Sequence, residues 1–242
     1  MHPAEPFQIR PPARPVISAL VLAVMCFVSC LPLRAADSPA RPHLFLAADS
    51  APGGPSRTVT EFRRAIREDA HVAGMWKIFL AQADHDLTAE IILPRTYKAN
   101  RGERDWSIGN RDHSVVFAAG QRILRGALAN LVTGEPRYRD AAWAQVEVLF
   151  QHEQWSDWRD LSHTNRAPAD LRTGMLARDL GLAFDWLHPV LTPAQRQWLI
   201  AGLDERAIKP FWKSVDQGAS WTKGGNNWST TIVGGLGILG MA

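Results

Sequence analysis

Helical periodicity is the feature that most constrains the fold of this chain, because apolar residues recur three or four positions apart from Val59 onward. No stretch of this region alternates apolar and polar residues at period two, and no hairpin dipeptide joins such stretches. The sequence therefore predicts an all-α structure that begins with one long helix or two abutting helices. The predicted helices cover residues 59–84, 114–132, 136–151, 171–187, 193–208 and 229–241.

Two pairs of these helices are joined by short connections. Thr133-Gly134 is a helix-stop signal and Pro136 begins the next helix, so the first pair should be antiparallel. The second pair breaks at His188-Pro189, and Thr192-Pro193-Ala194-Gln195 has the sequence of a capping box. Hairpins that repeat about every fifty residues are typical of a solenoid or a closed α/α toroid. In either fold, each pair buries its apolar face on its neighbours.

The N-terminal region has the order of a secretory leader. Two arginines precede an apolar run over residues 16–33, and the small residues Ala35-Ala36 follow it. We predict that residues 1–36 are a bacterial signal peptide and that the mature protein is periplasmic or secreted. A membrane anchor and a lipid attached to Cys30 remain the alternatives.

The predicted mature chain has two parts. Residues 37–58 are rich in Pro, Ser and Gly and should be extended around the short apolar stretch Leu44-Phe45-Leu46. Residues 59–242 contain the helical pattern, and we assign them to the N-terminal part of a toroid domain.

Removal of the leader narrows the possible functions. Both cysteines, Cys26 and Cys30, lie in the leader, so the mature chain has no disulfide, thiolate metal site or cysteine nucleophile. The sequence has 27 basic and 24 acidic residues, and losing three arginines and one glutamate leaves 24 and 23. This near-neutral balance gives no electrostatic basis for general nucleic-acid binding. All 10 tryptophans remain, and exposed indole rings are suitable platforms for sugar rings.

The most particular stretch is residues 221–242, WTKGGNNWSTTIVGGLGILGMA. Gly224-Gly225 allows a sharp turn, and Asn226 and Asn227 supply amide donors and acceptors near the start of a helix. A helix N-terminus also offers free backbone N–H groups, which favour a nearby anion. From these residues alone, either asparagine could be an N-cap without any further role.

Four segments, in their order along the chain, resemble the heparinase II/III-like polysaccharide lyases. This family includes heparin, alginate and oligoalginate lyases with an N-terminal α/α toroid. The segments are RPHLFLAADS, RILRGALANLVTGEPRYRDAAW, GMLARDLGLAFDWLHPVLTPAQRQWL and NNWSTTIVGGLGILGMA, and the resemblance covers nearly all of the predicted mature chain. The family's toroid is longer than this chain and a β-sandwich follows it. The resemblance therefore implies an incomplete toroid, and we expect the chain to be the N-terminal part of a longer protein.

The resemblance also implies a reaction, β-elimination beside a uronic acid. Such a lyase removes the proton at C5, and amide donors that neutralise the adjacent carboxylate stabilise the enolate-like intermediate. A Tyr or His acts as base and acid. The neutralising group of relatives matches Asn227, which is the candidate catalytic residue. Trp228 stands where relatives commonly have His, so the histidine-dependent part of their mechanism does not carry over, and their catalytic Tyr falls on a later helix than this chain contains.

Other candidate residues are substrate contacts, for which surface or capping roles are the alternative. Asn226 and Trp228 flank Asn227, and Arg166 and Arg172 could pair with substrate carboxylates. The remaining candidates, in polar segments before helices, are His113 and His163. The expected partner is an acidic polysaccharide or oligosaccharide. We expect no metal, no cofactor, no nucleic acid and, after leader removal, no membrane.

Two other functions remain open at this point. A glycoside hydrolase on an α/α toroid would need two carboxylic acids that face one cleft. Asp170 and Asp179 lie on one predicted helix but nine positions apart, and their side chains do not obviously converge. The other possibility is a glycan-binding protein without catalytic activity.

Overall fold

A computed structural model describes residues 40–49, 57–95, 97, 108–155, 158–159 and 167–242, without the side chains of residues 108–113. The predicted signal peptide, residues 1–36, lies outside these residues. The described part is mostly helical and is packed as hairpins, as the sequence predicts. Its elements are β1 (Leu46–Ala47), β2 (Arg57–Thr58), α1 (Val59–Glu68), α2 (Ala70–Thr88), α3 (Ile108–Thr133), α4 (Pro136–Phe150), α5 (Leu171–Leu187), α6 (Pro193–Leu203), a π-helical turn (Asp204–Ile208), α7 (Lys209–Asp216), a 3₁₀ turn (Ser220–Thr222) and α8 (Asn227–Met241).

The first predicted helix is two helices, because Asp69 interrupts it. Asp69 has an extended backbone, and its carboxylate accepts hydrogen bonds from the N–H groups of His71 and Val72 at the start of α2. In front of α1, β1 and β2 form a two-residue parallel pairing. Both strands lie within residues 37–58, which the sequence predicts to be extended, and the described residues from 59 onward contain no β-strand.

The helix that starts at Pro193 runs further than predicted. Its buried residues Leu199, Leu203, Ala207 and Phe211 are spaced four apart, and a regular helix would turn such a row gradually away from the core. The wider π-helical turn at Asp204–Ile208 compensates for this drift and lets the helix continue into α7. The result is a continuous helical segment over residues 193–216.

Three helices, α3, α5 and α8, form a row, called here the parallel row. A Cβ atom at Gly174 of α5 would lie 2.6 Å from the Cα atom of Ile232 in α8, and one at Gly181 would lie 2.9 Å from the Cα atom of Leu239. Both contacts advance in the same direction along the two chains, so α5 and α8 are parallel and their backbones are close. On the other side of α5, Asp179 packs against α3.

A second row, called here the return row, contains α2, α4 and the α6–α7 segment. The rings of Trp143 in α4 and Trp198 in α6 are 5.6 Å apart, and Arg206 further along donates to the carbonyl oxygen of Phe150 at 3.2 Å. These contacts make α4 and α6 parallel. Since short turns connect α3 to α4 and α5 to α6, the helices of the return row run opposite to those of the parallel row.

The hairpin turn between α3 and α4 follows the predicted signals. Gly134 has a φ of 78°, the left-handed conformation that ends many helices, and its N–H donates to the carbonyl oxygen of Asn130 at 2.7 Å. Residues 114–133 of α3 are long and apolar enough to cross a membrane. In the structure, however, Val115, Val116 and Ile123 from this stretch are fully buried against the neighbouring helices. A core helix therefore accounts for its composition.

Arginine side chains complete several helix ends. Each donates hydrogen bonds to carbonyl groups that a helix C-terminus leaves unpaired. The pairs are Arg63 with the end of α3, Arg122 with the end of α2, Arg196 with the end of α5 and Arg206 with the end of α4.

Candidate functional site

The paired asparagines at the start of α8 have different roles. Asn226 is the N-cap, with an extended backbone, and its Oδ1 atom accepts a hydrogen bond from the N–H group of Ser229 at 3.1 Å. The main-chain carbonyl of Asn226 also accepts from the N–H group of Thr230 at 3.1 Å. The helix therefore begins at Asn227, two residues earlier than predicted.

Asn227 is the first residue of α8 and is exposed. Within the described part of the chain, its side-chain amide makes no hydrogen bond, because Asn226 already caps the helix. The backbone N–H groups of Asn227 and Trp228 precede the first intrahelical bonds, and the helix dipole makes this end partly positive. An amide side chain and a positive helix end therefore face solvent together, an arrangement that suits a carboxylate.

A short loop over residues 221–226 leads into this helix. Trp221 at its start is 2% exposed, and its ring packs against that of Phe211 with centroids 5.7 Å apart. The hydroxyl group of Ser229 forms hydrogen bonds with the carbonyl oxygens of Trp221 and Gly224. The loop is therefore fixed at its start to the core and along its length to the helix that follows.

Trp228 contributes to this anchoring more than to an open surface. It is half-buried and packs on a small hydrophobic cluster that includes Phe211, Trp221 and Ile232. Only part of its ring is accessible to a sugar. Its predicted substrate contact would use that exposed part.

Arg172 lies at the start of α5, where it is 1% exposed. Its Nη1 atom is 3.1 Å from Oδ2 of Asp170, and the same carboxylate caps α5 by accepting from the N–H group of Arg172 at 2.9 Å. Its guanidinium is therefore inside the protein and does not face solvent. This position indicates a structural role for Arg172 instead of the predicted substrate contact.

The other candidates are placed only in part. Because α3, α5 and α8 are parallel, their starts lie at one end of the parallel row, where His113 occupies the second turn of α3. The side chain of His113 lies outside the described residues, as do His163 and Arg166 entirely. The structure thus brings the helices that carry Asn227, Arg172 and His113 to the same end of the row.

The two carboxylates considered for a hydrolase are both buried. Asp170 is the N-cap of α5. Asp179 belongs to α5, its carboxylate packs against Gly120 of α3, and it is 2% exposed. Burial raises the pKa of Asp179, while a hydrogen bond from Arg178 at 2.7 Å acts in the opposite direction. Neither carboxylate is accessible to a glycan.

Tyr138 does not present a basic phenolate. It is fully buried at the start of α4, and its hydroxyl donates to Asp84 at 2.6 Å. Burial and the bond to Asp84 raise its pKa to about 12. The residues that the structure describes also contain no group of three His, Cys, Asp or Glu side chains that could hold a metal ion.

The roles of two residues, one beside the candidate site and one in the core, are not visible in the sequence patterns. In the sequence, Ser229 has the pattern of an ordinary serine in the first turn of a helix, although its hydroxyl group binds the loop before α8. In the sequence, Asp185 is a charged residue on an otherwise apolar helix face. In the structure it binds Arg41 and Leu44, about 140 positions earlier in the chain. The sequence signal for Asp185 is the charged residue itself, because a carboxylate on a buried face needs partners.

Comparison with known proteins leaves the family of this chain open. The sequence matches no protein-family model. A search of curated proteins also finds no significant relative.

Proposed function

We propose that this protein is an exported polysaccharide lyase that cleaves a uronate-containing glycan, such as an alginate- or heparin-like polymer, by β-elimination. The proposal joins the resemblance to heparinase II/III-like lyases with one structural observation. Asn226 caps α8, and the amide of Asn227 is exposed at the positive end of the helix without a hydrogen bond to any residue that the structure describes. Asn227 would be the catalytic residue that neutralises the substrate carboxylate.

The chemistry gives this arrangement its value. Abstraction of the C5 proton adds a second negative charge, which spreads into the carboxylate bound to C5. An amide N–H and a helix N-terminus directed at that group stabilise the transition state more than the bound substrate. A base must take the C5 proton, and an acid must protonate the glycosidic oxygen that leaves C4 as the C4–C5 double bond forms. The resemblance implies a Tyr or His for both proton transfers.

The arrangement of the helices supports the wider fold proposal. Two rows of helices, each internally parallel and opposed to the other, are the repeating pattern of an α/α toroid. We propose that the parallel row lines the cleft of such a toroid. The candidate site would then lie at the end of the row where α3, α5 and α8 begin.

The test is an assay of the protein produced from its complete gene on a panel of uronate polymers. A lyase forms products with an unsaturated uronate at the new non-reducing end, which absorb in the ultraviolet and have the mass of an elimination product. A hydrolase forms saturated products with one added water, and a glycan-binding protein forms none. Saturated products, or the absence of any product, would overturn the proposal.

Asn227→Ala tests the assigned residue. Loss of one such donor should lower the turnover rate on the order of a hundredfold while KM changes little. Thr222→Ala is the control, since it removes an exposed hydroxyl of the preceding loop, bonded to Ala219, and leaves both asparagines in place. An Asn227→Ala protein that is folded and turns over substrate at the parental rate would show that Asn227 is structural.

A further inference from the structure

We infer that Ser229 is a positioning residue for Asn227. Its hydroxyl ties the loop over residues 221–226 to the first turn of α8 and thereby determines which asparagine caps the helix and which faces solvent. The inference rests on the proposed function of Asn227 and adds what holds that amide in place.

The contacts of Ser229 join three parts of the chain. Its hydroxyl forms hydrogen bonds with the carbonyl oxygens of Trp221 and Gly224, and its N–H group donates to Oδ1 of Asn226 at 3.1 Å. A hydroxyl has one proton, so it is shared between the two carbonyl acceptors. Ser229 thus contacts the start and the middle of the loop through its hydroxyl group, and the end of the loop through its backbone N–H group.

The two carbonyls differ in how firmly they are held. Trp221 is 2% exposed and its ring packs against Phe211, so the packing of the side chain holds the backbone of this residue in place. Gly224 and Gly225 have no side chains, and a Cβ atom at Gly225 would meet nothing within 4 Å. The glycine part of the loop has few other contacts among the described residues. Ser229 therefore holds it in place by binding both Gly224 and the well-packed Trp221.

This link also selects the start of the helix. Asn226 and Asn227 have the same side chain, and either could cap α8. If Asn227 were the cap, it would adopt an extended backbone and its amide would be used by the helix. The preceding loop would then shift relative to Ser229, and the hydrogen bonds to Trp221 and Gly224 would be lost. The hydroxyl of Ser229 therefore favours the arrangement in which Asn227 stays free.

The variants Ser229→Ala, Ser229→Thr and Thr222→Ala test this role in the protein produced from its complete gene. Ser229→Ala should lower kcat about tenfold to a hundredfold with little change in KM, because a small displacement of a catalytic group has effects of that size. Ser229→Thr keeps the hydroxyl and should recover most of the rate. Thr222→Ala removes an exposed hydroxyl of the same loop, bonded to Ala219, and should retain the parental rate.

Hydrogen–deuterium exchange of the same variants gives a readout that does not depend on activity. Faster exchange over residues 221–230 in Ser229→Ala, but not in Thr222→Ala, is the expected result. An unchanged exchange pattern, or an unchanged kcat in an active enzyme, would overturn the role of Ser229. Absence of lyase activity in the parent protein would overturn the proposed function instead, and exchange would still test the loop.

Discussion

The two ends of the parallel row differ in how their polar groups are used. At the end where α5 and α8 finish, a buried carboxylate and an extended segment hold the helices together. At the end where α3, α5 and α8 begin, Asn227 is exposed and an amide and a helix N-terminus face solvent. At the first end, called here the closed end, the protein itself supplies the partners of the buried Asp185 carboxylate. At the second, called here the open end, the amide of Asn227 makes no hydrogen bond with the described residues.

Asp185 is the centre of the closed end. It is fully buried, and its Oδ2 atom accepts from the N–H groups of His43 and Leu44 at 3.0 and 2.9 Å. Arg41 donates to Oδ1 at 3.2 Å, and Nε2 of His43 reaches the carbonyl oxygen of Met241 at 2.8 Å. The carboxylate thereby ties the extended segment before α1 to the end of α5, and His43 of that segment contacts the end of α8.

The largest predicted effect is therefore at this end. Asp185→Ala leaves two backbone N–H groups and the Arg41 charge without their acceptor, and it should lower the free energy of unfolding by about 3–5 kcal/mol. Denaturant titration of the purified variant measures the loss. Asp216→Ala, at an exposed position at the end of α7, is the matched control and should change stability by less than about 0.5 kcal/mol. A loss at Asp185 no larger than that of the control would contradict the comparison.

The second prediction uses the two faces of α8. A Cβ atom at Gly235 would lie 1.9 Å from the carbonyl oxygen of Gly174, whereas one at Gly237 would meet nothing within 4 Å. Gly235→Ala should therefore cost about 1–3 kcal/mol by forcing α5 and α8 apart. Gly237→Ala should raise stability by about 0.5–1 kcal/mol, because alanine favours a helix more than glycine does.

Thermal and denaturant unfolding of both glycine variants check this pair. Equal and small effects would mean that the close packing of α5 on α8 is absent in solution. A loss of stability in Gly237→Ala would instead show that residues outside the described part of the protein pack against the face of α8 that carries Gly237.

The third prediction separates the two asparagines at the open end. Asn226→Ala removes the N-cap and should lower the free energy of unfolding by about 1 kcal/mol. Asn227→Ala removes a side chain with no partner in the described structure, and its effect should stay below about 0.5 kcal/mol. Denaturant titration of the two variants side by side measures the difference. The reverse order would mean that Asn227 is the cap in solution.

Local sequence signals predicted most of the helices because their causes are local. The capping box at residues 192–195 is present, with the Gln195 N–H donating to the hydroxyl of Thr192 at 3.2 Å and the Thr192 N–H donating to Gln195 at 3.0 Å. The continuation of α6 through a π-helical turn was missed, since it depends on how a row of residues meets the core. The partners of Asp185 were missed because no local pattern connects them to it.

In the candidate site, too, local features were predictable from the sequence and tertiary contacts were not. The pair of asparagines and the glycines before them were recognisable as the start of a helix. Which asparagine caps was not, since that choice depends on the contact of Ser229 with the carbonyl of Trp221. Arg172 was predicted to bind substrate, but its ion pair with Asp170 inside the protein is a tertiary feature that composition does not reveal.

The smallest predicted effect concerns Asp179, which lies between the two ends of the parallel row. Burial raises its pKa above the ordinary value of 3.8, with Arg178 opposing this shift. The folded state therefore holds the proton more tightly than the unfolded state. Stability that the protonated carboxyl contributes is fully present below pH 3.8 and is lost as pH rises through the raised pKa.

Asp179→Asn does not titrate, so it should match the parent in acid and become more stable than the parent towards neutral pH. The gain should stay below about 1 kcal/mol, because the variant also weakens the pair with the exposed Arg178, which is itself worth up to about 1 kcal/mol. Denaturant titration of both proteins across this pH range measures the difference, with the exposed Asp216→Asn as the control. A variant that becomes less stable than the parent as pH rises would mean that the pair with Arg178 outweighs the burial of the charge.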